Sequence, residues 1–136
     1  KEGGLVVQAH PFRERGYLSR ISLHPHTVHA VEVINGENEE EFDRKARKYA
    51  EHYNLPMIAS ADIHDVRKID RIARATIFEQ KLESIDGFIQ AVKDNRCALE
   101  RDPGRTGEPS DHSNLPVYLY DEEGRAKKIQ AFEAWS

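Results

Sequence analysis

The feature that most constrains this chain is a strand, helix, strand pattern between residues 30 and 61. Ala30-Val31-Glu32-Val33-Ile34 is a β-branched run that ends in the turn dipeptide Asn35-Gly36. Phe42, Ala46, Tyr49, Ala50 and Tyr53 then recur at helical spacing, with charged residues between them. Asn38 precedes Glu41 by three positions, which predicts a start related to the capping box. Asn54 and Leu55-Pro56 stop the helix, and Met57-Ile58-Ala59-Ser60-Ala61 predicts another short buried strand. Apolar strands separated by amphipathic helices point to βα units and a parallel sheet.

The flanking segments extend that pattern. Leu5-Val6-Val7-Gln8-Ala9 predicts a first strand bounded by glycines. Arg74 to Phe78 predicts another strand, Ser84 a helix cap ahead of Ile85, Phe88, Ile89 and Val92, and Cys97-Ala98-Leu99 a further strand. The prolines and glycine of residues 10–29 argue against continuous regular structure there. Residues 101–113 carry the Pro, Gly, Asp and Ser of a linker. Val117-Tyr118-Leu119-Tyr120 and residues 128–132 then flank Asp121-Glu122-Glu123-Gly124 as a hairpin. Its aromatic residues are read as hairpin faces rather than a platform for stacking bases. The expected organisation is a barrel part at 1–100, a linker at 101–114 and a hairpin extension at 115–136.

Composition removes several classes. With 136 residues the chain holds one domain at most. Twenty Lys and Arg against 24 Asp and Glu give a net charge of −4, which supplies no basic field for a nucleic-acid backbone. No apolar run reaches the roughly 18 residues of a membrane span. The single cysteine, Cys97, is consistent with a reducing compartment, so a cytoplasmic location is expected.

In parallel α/β folds, chemistry collects at the C-terminal edge of the strands. Here the strands run out into Ala9-His10-Pro11, Ile34-Asn35-Gly36 and Ala61-Asp62-Ile63-His64. Imidazole nitrogen and carboxylate oxygen are common donors to zinc, manganese or iron, and Asp-x-His puts two on one extended segment. His10, Asp62 and His64 are therefore the candidate metal ligands. Arg13 could reach a substrate phosphate with its planar fork or form a surface ion pair. Asn35 is read chiefly as a turn residue, and Glu32 as facing either solvent or a lumen. His24, His26 and His29 are read as a solvated loop.

Taken together, Gly4 to Arg13, Ala30 to Gly36 and Ile58 to His64 resemble the second half of the polymerase and histidinol phosphatase (PHP) superfamily. The family's strand-end His-Pro is matched by His10-Pro11, and its Asp-x-His by Asp62-Ile63-His64. The resemblance implies an α/β fold, a partial (βα)7 barrel with parallel strands, and a phosphoesterase that uses a cluster of divalent metal ions, Mn, Zn or Fe. It also implies a phosphorylated small molecule or nucleotide as substrate, and an arginine at the Arg13 position. The family's His-x-His and further ligands fall ahead of His10. The expectation is thus a C-terminal piece with an incomplete ligand set, inactive or nearly so alone, whose catalytic residues are unknown.

Two other readings compete. One is a non-catalytic α/β module that docks partners or self-associates through exposed sheet edges, forming homo-oligomers. The other is an amidohydrolase-type barrel, disfavoured because Ile34 and Asn35 offer no bridging lysine or histidine.

Overall fold

The computed structural model describes residues 2–67, 74–101 and 115–129. In chain order the elements are β1 (Val7–Gln8), β2 (Ile21–Leu23), β3 (Ala30–Asn35), α1 (Glu40–His52), β4 (Met57–Ser60), β5 (Arg74–Phe78), α2 (Ile85–Lys93), β6 (Cys97–Arg101), β7 (Val117–Tyr120) and β8 (Ala126–Ile129). The fold is mixed α/β. The strands form three sheets, ordered β1-β3-β4, β2-β7-β8 and β5-β6. No closed barrel is formed by the described residues.

The first sheet carries the expected parallel pairing, β1 with β3 and β3 with β4. β3 is buried along its whole length, as a central parallel strand must be. Its pairing with β4 slips between Glu32 and Ile34, so that Val33 is the extra residue of a bulge. α1 lays Phe42, Ala46, Tyr49 and Ala50 on this sheet, each at most 1% exposed. Burying Phe42 and Tyr49 contributes roughly 2–3 kcal/mol apiece before ordering costs are met. Phe12 meets Tyr49 edge to face, with centroids 6.1 Å apart. The Tyr49 hydroxyl donates to Gln8 Oε1 at 3.0 Å, and burial pushes the phenol pKa well up, helped by neighbouring Tyr53.

Helix ends follow local chemistry. Asn54 and Asn95 lie just past the two helices with φ of 51° and 55°. After α1, Leu55 N donates to Ala50 O and Asn54 N to Glu51 O; after α2, Arg96 N donates to Ala91 O and Asn95 N to Val92 O. Both are Schellman ends closed by asparagine. Ser84 caps α2 by accepting from Gly87 N at 3.0 Å, as expected. The α1 start differs from expectation: Glu39 is the cap residue and makes no side-chain cap bond. Asn38 is diverted because its side chain bonds Arg13 and Asp43 instead.

Three further departures have physical causes. β2, within the segment read as irregular, is stabilised by parallel pairing with β7, a contact across almost 100 residues of sequence that local patterning does not carry. β8 begins at Ala126, two residues earlier than the expected strand, because Asp121 closes the turn by accepting from Glu123 N and Arg125 N, with Gly124 at φ 80°. β5 and β6 pair antiparallel although a helix connects them. The expected linker falls almost wholly outside the described residues, as do the last residues of the expected hairpin.

The sheets meet through side chains in place of continuous ladders. Gln8 accepts from His24 N and donates to Ser22 O, bridging β1 to β2. On the outer edge of β4, the Thr76 hydroxyl accepts from Ala59 N and donates to Ala59 O, while Asn95 accepts from Met57 N. Such bonds occupy edge groups that would otherwise be open to another strand.

Candidate functional site at the strand ends

Because β1, β3 and β4 run parallel, their C-terminal ends open onto one edge. His10 lies two residues past β1, Asn35 ends β3, and Asp62 lies two residues past β4. The segment after β1 turns sharply: Arg13 N donates to His10 O at 3.1 Å, with Pro11 inside the turn. Phe12, 3% exposed, anchors that turn in the core. Arg13 is thereby carried back over the edge.

Arg13 is the hub. Its Nη2 donates to Asp62 Oδ2 at 2.7 Å and to Asn35 Oδ1 at 2.5 Å, and its Nε donates to Asn38 Oδ1 at 2.7 Å. Nη1 has no partner among the described residues. The side chains of Arg13 and Asp62 are 10% and 18% exposed, so the pair is largely withdrawn from water. Burial by itself would raise the Asp62 carboxyl. The hydrogen bonds from Arg13 and the Asn35 amide, with the charges of Arg13 and His64, outweigh burial and hold it below its ordinary value. His64 Nε2 lies 3.0 Å from Asp62 Oδ1 on a side chain that is 80% exposed.

Beneath this pair lies Glu32, 5% exposed. Its Oε2 accepts from His10 N at 2.7 Å and from Asn35 Nδ2 at 3.0 Å, and its Oε1 accepts from the Ser60 hydroxyl. Residues three apart on a regular strand point to opposite faces, and the bulge at Val33 is what lets Glu32 and Asn35 meet. Asn35 serves the turn as well, since its Oδ1 also accepts from Glu37 N at 2.9 Å. Asn38 and Asp43 complete the far side of the network, Asp43 accepting from both Asn38 Nδ2 and Asn35 N.

Two strand-end residues sit in the left-handed region, His10 at φ 26° and Asp62 at φ 52°. Residues before proline favour extended backbone, so His10 is held away from its own preference. Strain of this kind collects where a fold is arranged for function.

The site thus unites Arg13, Asp62 and His64 directly, and reaches His10 through its backbone bond to Glu32. The imidazole of His10 hydrogen-bonds to no described residue. Among the described residues no group of three or more His, Cys, Asp or Glu has the arrangement to hold a metal ion. Sequence reasoning undervalued Glu32, Asn35, Asn38 and Ser60. The available signal was an acidic residue in an otherwise apolar strand, with two asparagines just beyond it.

Comparison with known families adds the remaining observation. Residues 40–97 match the PHP-associated family, PHP_C. This agrees with the C-terminal part of a PHP superfamily protein. The PHP-associated segment spans α1, β4, β5 and α2, and includes Asp62 and His64 while His10, Arg13 and Glu32 precede it. No curated protein and no solved structure matched the chain. No helix among the described residues is long and apolar enough to cross a membrane.

Proposed function

We propose that the chain supplies the C-terminal portion of a PHP-type phosphoesterase, a partial barrel whose strand-end residues share in a divalent metal and phosphate site. The observation that carries this reading is the Arg13–Asp62–His64 cluster at the common edge of β1, β3 and β4, with the PHP-associated match running through Asp62 and His64. His10, Asp62 and His64 have the donor chemistry for Mn, Zn or Fe, and they contribute a minority of a full ligand set. A metal bound there would polarise the phosphoryl group and bring the pKa of bound water toward about 7.

The chain's own residues supply positioning and charge. Asp62 is ionised at neutral pH and is locked by Arg13, so its second oxygen faces His64. Arg13, with Nη1 still free of described partners, can receive a phosphoryl oxygen of a phosphorylated small molecule or nucleotide while keeping its bonds to Asn35 and Asn38. These residues bind and orient, and the catalytic proton donors are left unassigned.

Titration of the chain with Mn²⁺ tests the reading. We expect weak binding that Asp62→Ala and His10→Ala abolish, and no turnover of a generic aryl phosphate by the 136 residues alone. Unchanged Mn²⁺ binding in both variants would defeat the proposal. One observation favours the alternative of a non-catalytic module: Asp62 Oδ2 already accepts from Arg13 at 2.7 Å, a bond that competes with ligation by that oxygen. Indifference to Mn²⁺ in the parent chain is the result that reading requires.

A further inference from the structure

We propose that Glu32 is a positioning residue, neither metal ligand nor proton carrier, whose carboxylate fixes where His10 and Arg13 stand. The proposal rests on the metal and phosphate reading above and adds a residue that neither the Asp-x-His nor the His-Pro motif contains. Glu32 is 5% exposed, and a carboxylate so buried persists only with several donors. It has three, one from the end of each parallel strand: His10 N after β1, Asn35 Nδ2 at the end of β3, and the Ser60 hydroxyl at the end of β4.

Each bond has a distinct consequence. The bond to His10 N–H holds a residue before proline at φ 26°, a conformation that its own sterics oppose. The bond from Asn35 Nδ2 fixes the amide orientation, so Oδ1 faces Arg13 Nη2 at 2.5 Å. The bond from Ser60 ties β4 to β3 two residues before Asp62. One buried anion therefore sets the backbone of His10, the partner of Arg13 and the approach to Asp62. Three donors from three strand ends face its two oxygens, which commits the carboxylate to holding those groups in place.

Two substitutions in the full chain test this. Glu32→Gln keeps the shape and an acceptor for His10 N–H, and the Ser60 hydroxyl can turn to accept from the new amide. Glu32→Ala removes every bond. The first readout is the ¹⁵N-resolved His10 amide, expected downfield and slow to exchange in the parent and in Glu32→Gln, and shifted with at least about tenfold faster exchange in Glu32→Ala. The second is Mn²⁺ affinity, expected about tenfold weaker in Glu32→Ala and recovered in Glu32→Gln, the size of effect seen when an outer-shell partner of a metal ligand is lost. Equal affinity in Glu32→Ala and the parent overturns the proposal, and so does a Glu32→Gln variant as weak as Glu32→Ala. If Glu32→Ala does not fold, Ser60→Ala replaces it, with a displaced His10 amide supporting the role and an unmoved one refuting it. A parent chain that binds no Mn²⁺ ends the metal reading, and the His10 amide then decides the role of Glu32 alone.

Discussion

Two segments of this molecule have the same sequence grammar and opposite outcomes. β3–α1–β4 and β5–α2–β6 are each strand, helix and strand, and each helix is closed by an asparagine in a Schellman turn. The first pair of strands is parallel, the second antiparallel. In the first, α1 buries Phe42, Asp43, Ala46, Tyr49 and Ala50, and a polar network gathers at the strand ends. In the second, α2 buries only Ala91 and Val92 and leaves Ile85 77% exposed. Capping and periodicity set where helices begin and end, while strand direction depends on which surface the helix covers. The half with deep burial is the half that can hold a carboxylate and a guanidinium out of water.

The contrast can be broken by truncating one aromatic in each helix. Phe42→Ala, at a residue 1% exposed, should cost roughly 3–5 kcal/mol in urea unfolding. Phe88→Ala, at a residue 39% exposed, should cost about 1 kcal/mol or less. Comparable losses would mean that α2 is as deeply packed as α1, contrary to its exposure.

Asp62→Asn comes next in size. It leaves the Arg13 guanidinium, 10% exposed, without its counter-charge. A cost of about 2 kcal/mol is expected at pH 7, below the range for a fully buried pair because Asp62 remains partly wet. The pH dependence sharpens the assignment. The Asp62 carboxyl is depressed in the folded chain, so its contribution is complete above the ordinary carboxylate value of 3.8 and is lost as pH falls below it toward the folded value. Unfolding midpoints measured between pH 5 and pH 2 should fall more steeply for the parent than for Asp62→Asn, and parallel curves would remove Asp62 from the acid response.

A comparably small effect belongs to the cap of the exposed helix. Ser84→Ala removes the acceptor for Gly87 N and should cost about 1 kcal/mol, read by thermal unfolding. No measurable change would show that α2 is held by its neighbours rather than by its own cap.

Much of the fold was legible because it is local. The runs at 30–34 and 57–61, the periodicity from Phe42 to Tyr53, and Ser84 ahead of Ile85 all encode their structure within a few residues. The edge carrying His10, Asn35 and Asp62 was legible too, since it follows from strand ends and parallel pairing. Asn38 was misread as part of a cap because its partner, Arg13, lies 25 residues away. Glu32 was ambiguous because strict alternation does not foresee a bulge, and only the bulge aligns it with Asn35.

The sequence alone determined most of the elements, the ends of both helices, and the delivery of His10, Arg13, Asp62 and His64 to strand ends, because propensity, capping and turn chemistry act over one or two turns of chain. Tertiary structure decided that β5 and β6 oppose each other, that β2 finds β7, and that Arg13 seats between Asp62 and two asparagines above a buried Glu32. Those outcomes depend on which groups are withdrawn from water together. Burial is a property of the assembled molecule, and no window of neighbouring residues contains it.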